Sequence, residues 1–435
     1  MVRFPLVSLL IALSLPAQER LTLSMKQAVD LALAPDGNAR VQLARELIRQ
    51  ASDRAAQSRA ALLPNVDASV NAQNFTRNLR AFGLTIPVPG IPDVVGPITV
   101  YDWRGTLNQT IFDFSAIKRV QAARAGVDLA RAEEEAARNT ATDQVARAYL
   151  ALVRAEEAIA AVKANVDLAG SLLALARSQK DAGTGTGIEV TRAQVQASNE
   201  QQRLLVAQNE RDRAEIVLLR AIGLSMSVHV QPSDALTYSP AEALTTEDAV
   251  KTARETRADW RAQQRRETVS RLNSEAVKWE RLPSVAGFAD AGGIGTDAFD
   301  PRFTRTIGVG VRLPIFDGGR RDARRSEAQS QLAQEQIRGR DMMKQIEADV
   351  RLALESLQSA EGQVKVADEG LTLAGNELAQ SRRRYEAGVG ASIEVTDAQT
   401  RLARARDNRI SALFQHNLAK IELASAMGVI YKVIQ

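Results

Sequence analysis

Side chains able to do covalent or acid–base chemistry are scarce in this chain. Cysteine is absent, which excludes a thiolate nucleophile, a disulfide framework, a thiolate metal site and an acylated N-terminal cysteine. The chain has two histidines, His229 and His416, and neither stands in a metal-ligand or nucleophile pattern. The glycines at Gly183, Gly185 and Gly187 resemble no phosphate loop, because no Gly-Lys-Ser/Thr follows them. No catalytic, cofactor or metal site is expected, and the chain reads as a non-enzyme. Its 56 basic and 52 acidic residues are interspersed and leave a net charge of +4. That balance describes a solvated helical surface and no nucleic-acid footprint.

One motif is used twice. "GTGTGIEVTRAQ" at 183–194 returns 205 residues later as "GVGASIEVTDAQ" at 388–399. Each copy sets charged residues just beyond a glycine break: Glu189 and Arg192 in the first, Glu394 and Asp397 in the second. Residues three apart share one helix face, so Glu394 and Asp397 point the same way.

The elements that carry this motif follow from proline and from periodicity. Proline clashes inside a helix, and no proline lies between Pro97 and Pro232 or after Pro314. Each window holds a long segment, the glycine break, a shorter segment and an ending, "AIGL" at 221–224 or "AMGV" at 426–429. Apolar residues recur every seven positions: Val145, Leu152, Ile159, Val166 and Leu173, with Ala148, Ala155, Val162, Ala169 and Ala176 three residues on. The second window repeats this with Val350, Leu357, Val364, Leu371 and Leu378, and with Ala353, Ala360, Ala367, Ala374 and Ser381. Such seams predict two antiparallel coiled-coil hairpins. A helix from Phe114 to Lys180 would be on the order of 100 Å long, so it must project. The glycine stretches then sit at the hairpin tips. Aromatic content of only 4% agrees with long packed helices.

Four shorter segments alternate with period two. They run from Asn65 to Phe75, Val100 to Phe112, Ser284 to Ile294 and Phe303 to Phe316, and each reads as a strand with one apolar face. Their lengths suit a membrane-spanning strand of about 9 to 11 residues; a soluble sheet lying on the helices alternates in the same way. The opening "MVRFPLVSLLIALSLPAQE" reads as a secretory signal cleaved near Ala17. No other stretch reaches the length of a membrane anchor, so any crossing falls to the strands. Four strands cannot close a barrel, and an open edge in lipid leaves backbone groups unpaired. The chain must therefore oligomerise. Twelve strands from a trimer leave an appreciable lumen, whereas eight from a dimer do not.

The expected layout is a signal peptide at 1–17, a first repeat at 18–224, a linker at 225–243 and a second repeat at 244–435. The first repeat holds strands at about 64–76 and 98–112 and a helical hairpin at 114–224. The second holds strands at about 283–294 and 303–316, a hairpin at 319–428 and a C-terminal segment. The proline-rich connection at 77–97 reads as an exposed loop.

In this order and duplication the chain resembles the TolC-type outer-membrane efflux and export family. The carriers are "LTLSMKQAVDLAL" near the start, Pro64 and Pro283 before strands, "VRLPIFDGGR" at 311–320 and "RRYEAGVGASIEVTDAQTRLARARDN" at 383–408. The fold class this implies is mainly α with a small β part: a homotrimer whose twelve-stranded outer-membrane barrel continues into a helical tunnel through the periplasm. Residues 225–243 would belong to its equatorial region. The implied function is a channel-tunnel that passively conducts substrates from a periplasmic adaptor (membrane fusion) protein and an inner-membrane pump to the exterior, in efflux or type I secretion. Its partners are the adaptor, the pump, outer-membrane lipid and two further copies, with no cofactor and no nucleic acid.

The resemblance also assigns roles. Glu394 and Asp397 become periplasmic gate acids, repeated around a narrow axis where like charges repel and cations are attracted. Tyr385 and Glu189 match members of the family's closed-state latch. Gly390 stands where the family has an arginine, and Arg192, facing Asp397 by repeat position, is the substitute candidate. Gly183, Gly185, Gly388 and Gly390 permit the adaptor-docking tips, while Ile188, Val190, Ile393 and Val395 begin the return-helix seams. The rival reading is a periplasmic coiled-coil scaffold without a pore, which explains the heptads but not the strands.

Overall fold

The computed structural model describes residues 20–83, 94–240 and 244–434. The expected signal peptide, the middle of the 77–97 connection and the end of the 225–243 linker lie outside the described residues. Two compact units result: one of residues up to Ala44, Glu135–Ala258 and from Met343 on, the other of Arg45–Glu134 and Asp259–Met342.

The first repeat runs β1 (Arg20–Leu23), α1 (Met25–Leu33), α2 (Ala39–Ala60), β2 (Asn65–Asn78), β3 (Val94–Phe112), α3 (Phe114–Asp181) and α4 (Gly187–Ile222). After β4 (His229–Pro232) the second runs α5 (Thr246–Thr256), α6 (Ala258–Lys278), β5 (Ser284–Gly295), β6 (Arg302–Arg312), α7 (Arg320–Glu386), α8 (Ser392–Ala426) and α9 (Ile430–Ile434). The "IFD" triplets at 111 and 315 acquire a role here. Asp113 Oδ1 accepts from the N–H of Ala116 at 3.0 Å and Asp317 Oδ2 from that of Arg321 at 3.2 Å, so each aspartate caps the start of a long helix.

Within the first unit, every residue of the four heptad series is buried or half-buried. Seam packing of this kind, and not intrinsic propensity, stabilises helices of such length. By length and composition alone α3 would suffice to cross a membrane, since one 18-residue window has a mean hydropathy of 1.5. The expectation that no stretch beyond the N-terminal one reaches a membrane anchor's length therefore fails for α3 by length and composition; 22% of that window is buried.

At the other end of this unit, β1 pairs in parallel with β4, Leu21 opposite Val230. Tyr149, Leu152, Leu218, Leu219, Ile222 and Ile430 form the core beneath the pair. The Tyr149 hydroxyl donates to Leu23 O at 2.9 Å and accepts from the N–H of Asp234 at 3.3 Å. Burial, reinforced by Asp234, pushes this phenol up to about 12.

The second unit carries an antiparallel sheet in the order β2-β3-β5-β6. Alternation to Phe316 predicted a longer last strand, but the ladder stops at Arg312. Pro314 has no N–H to continue it, and Gly318 and Gly319 then take left-handed φ values of 69° and 83° to turn the chain into α7.

Candidate functional site: two hairpin tips and a two-faced sheet

The helix-to-helix turns are built by the same hydrogen bonds 205 residues apart. In the first, Thr184 and Gly185 donate to Gln179 O at 2.9 Å, and Gly183 to Lys180 O at 3.0 Å. In the second, Val389 and Gly390 donate to Arg384 O at 3.0 and 3.1 Å, and Gly388 to Tyr385 O at 3.0 Å. These are Schellman closures, which need a left-handed residue just past the helix. Gly183 and Gly388 supply it with φ of 73° and 75°. Gly185 and Gly390 serve differently: a Cβ there would come within 3.0 Å of Gln179 Cβ or 2.9 Å of Arg384 Cβ.

Side chains then separate the tips. Glu189 accepts from the N–H of Thr186 at 2.8 Å and from its hydroxyl at 3.1 Å. The Thr186 N–H chiefly, with the Thr186 and Ser392 hydroxyls and Arg192, holds this carboxyl below the usual glutamate range. Ser392 begins α8, so Glu189 touches both hairpins. Tyr385 is buried at 8% exposure beside Val395, Ala398 and Leu402. Burial raises its pKa, and the nearby charge of Glu189 adds to that. The structure thus brings Tyr385 and Glu189 together.

Glu394 is exposed, and its one ion pair among the described residues is with Arg384 Nε at 3.5 Å. Asp397 is exposed. Arg192 is exposed and acts on Glu189; among the described residues it forms no ion pair with Asp397. Val395 is buried and Val190 half-buried, as seam residues are, whereas Ile188, Val389 and Ile393 are exposed at the tips. Sequence reading missed Arg384, Thr186 and Ser392. Thr186 and Glu189 do carry a capping-box spacing that would have revealed that pair.

In the sheet, cross-strand register puts Asp67, Asp102, Arg104, Asp290 and Thr304 on one face. Arg104 joins Asp290, and also bonds Asp102 at 3.1 Å and the Thr304 hydroxyl at 3.4 Å. The other face exposes Val66, Val70, Trp103, Leu107, Ile307, Val309 and Val311. Among the described residues, β2 and β6 each have one unpaired edge.

The family model for outer membrane efflux proteins matches residues 31–224 and 249–429. The chain belongs to that family. Like other members of that family, it is an outer-membrane protein. It is 25% identical over 252 residues to the outer membrane efflux protein BepC of Brucella suis, covering 57% of this chain. The chain matches about half the length of that curated relative, 54%. Its fold is similar to the outer membrane protein VceC of Vibrio cholerae, with a TM-score of 0.79 at 19% identity over 93% of this chain and 96% of that one. The CmeC outer membrane channel of Campylobacter jejuni gives 0.80 at 16% identity, covering 99% and 94%. At such identities these likenesses show the fold.

Proposed function

We propose that three copies of this chain form one outer-membrane channel-tunnel that conducts substrates passively to the cell exterior. The observation that carries this reading is the sheet: one face exposes an apolar surface, the other holds a charged network, and two edges lack partners. Three copies joined edge to edge give twelve strands with apolar side chains toward lipid and the Arg104 network toward a lumen. The paired hairpins continue the duct on the periplasmic side. Their tips meet a periplasmic adaptor, which links the channel to an inner-membrane pump, and the exposed Ile188, Val389 and Ile393 are the apolar contacts available for it.

Glu394 and Asp397 act as the gate acids. Their exposure supports this role, since a carboxylate already buried in hydrogen bonds attracts no cation. The latch reading narrows to Tyr385 and Glu189. A side chain at Gly390 would crowd the Arg384 Cβ at 2.9 Å and the Arg384 and Tyr385 backbone at 3.2 Å, so no arginine arm starts there.

Planar-bilayer conductance of wild type against a Glu394→Ala/Asp397→Ala variant, across divalent cation concentrations, tests the reading. Small wild-type conductance blocked by divalents, with larger and less sensitive conductance in the variant, is expected. Equal conductance and block would move the constriction elsewhere, and silence from both well-folded proteins would leave a scaffold.

A further inference from the structure

The exposed apolar face of the sheet carries one charge, Arg305. Register alternation puts Arg305 between Phe303 and Ile307 on that face, level with Ala291, Gly105 and Ala68 of the neighbouring strands. Its side chain is exposed and makes no ion pair or hydrogen bond with a described residue. Every acid of the four strands, Asp67, Asp102 and Asp290, lies on the opposite face. Closing the sheet against another copy supplies no counter-charge either, because β2 would present Val66, Ala68, Val70 and Ala72 on the same side.

An unpaired cation among lipid-facing side chains is expensive unless it reaches a polar partner, so it marks a site. The position identifies that partner. β2, β3, β5 and β6 all connect to α-helices at one end of the sheet, and Arg305 lies in the opposite half of β6, toward the end where β2 joins β3 and β5 joins β6. Trp103 and Phe303, 47% and 74% exposed, sit one row farther out, as an interfacial aromatic girdle does. The small residues beside Arg305 leave room for its stem to lie flat and for the guanidinium to rise to headgroup level. A guanidinium matches a phosphate with paired, planar hydrogen bonds.

Resting on the outer-membrane barrel reading, we propose that Arg305 binds the phosphate of an acylated glycolipid in the outer leaflet. Native mass spectrometry of the detergent-solubilised full chain tests it, titrating an acylated disaccharide bisphosphate and the same glycolipid stripped of phosphate. Wild type should retain the phosphorylated form about tenfold better. Arg305→Gln should abolish that preference, Arg305→Lys keep part of it, and Arg302→Gln, on the other face, leave it intact. Excess inorganic phosphate should not displace the lipid. Equal retention by Arg305→Gln and wild type, or equal loss in Arg302→Gln, overturns the inference. Absence of the chain from outer-membrane fractions would instead overturn the barrel reading beneath it.

Discussion

At the first tip Glu189 is folded into the start of its own return helix, held by Thr186 and touching Ser392. At the second tip the corresponding Glu394 stands in solvent with Arg384 as its neighbour. The hydrogen bonds that close the two turns are the same. The motifs differ at four positions, Thr184/Val389, Thr186/Ala391, Gly187/Ser392 and Arg192/Asp397; among them, Ala391 offers no hydroxyl to draw the acid inward. Duplication thus kept a turn through its glycines, while the substitutions around them leave one carboxylate bonded at its helix start and the other exposed.

Charge removal gives the widest separation between the tips. Glu394→Gln/Asp397→Asn should weaken divalent block by about tenfold or more, while Glu189→Gln should leave block unchanged, both read in planar bilayers. Equal effects would erase the distinction. Shared backbone geometry predicts the opposite pattern for Gly183→Ala and Gly388→Ala. Each should cost about 1 to 2 kcal/mol of local stability, to similar extents, by hydrogen exchange of the amides in each turn.

Exchanging the caps should convert one tip toward the other. Thr186→Ala should cost the first tip about 1 kcal/mol. Because the folded Glu189 carboxyl lies below its unfolded value, its contribution is present above the unfolded pKa and lost as pH falls through the lowered one. Thr186→Ala removes the hydroxyl donor but keeps the N–H that is the main cause, so acid loss of protection at that tip should begin at only slightly higher pH, with exchange corrected for intrinsic rates. Ala391→Thr should gain the second tip about 0.5 kcal/mol and reduce divalent block as Glu394 turns inward. Smallest is Arg384→Ala. An exposed pair at 3.5 Å contributes at most a few tenths of a kcal/mol, so stability should hold while block increases slightly.

Much of this was legible because each feature has a short-range cause. Missing prolines, seven-residue seams and the doubled glycines announce the hairpins, and Val66, Val70, Ile307 and Val309 announce a two-faced sheet. The β1–β4 pair was not legible. "RLTL" and "HVQP" are too short to show a period, and only the core around Tyr149 selects their pairing. Likewise Arg384 looks like one more solvated base until the fold sets it beside Glu394. The end of β6 was misjudged for the reverse reason, since alternation continues past Pro314 although the ladder cannot.

The seam between β3 and β5 sets Tyr101 opposite Gly295, joining halves of the chain that are synthesised far apart in time. Closing so long a loop is entropically slow. Both strands of the β1–β4 pair, by contrast, exist once Pro232 has emerged, although Ile421 and Ile430 complete the core beneath them only near the end of the chain. Sheet and core alike therefore wait for the second repeat. A nascent protomer would stay unable to enter the bilayer until both halves exist, and the apolar face would be created at the moment a membrane can receive it.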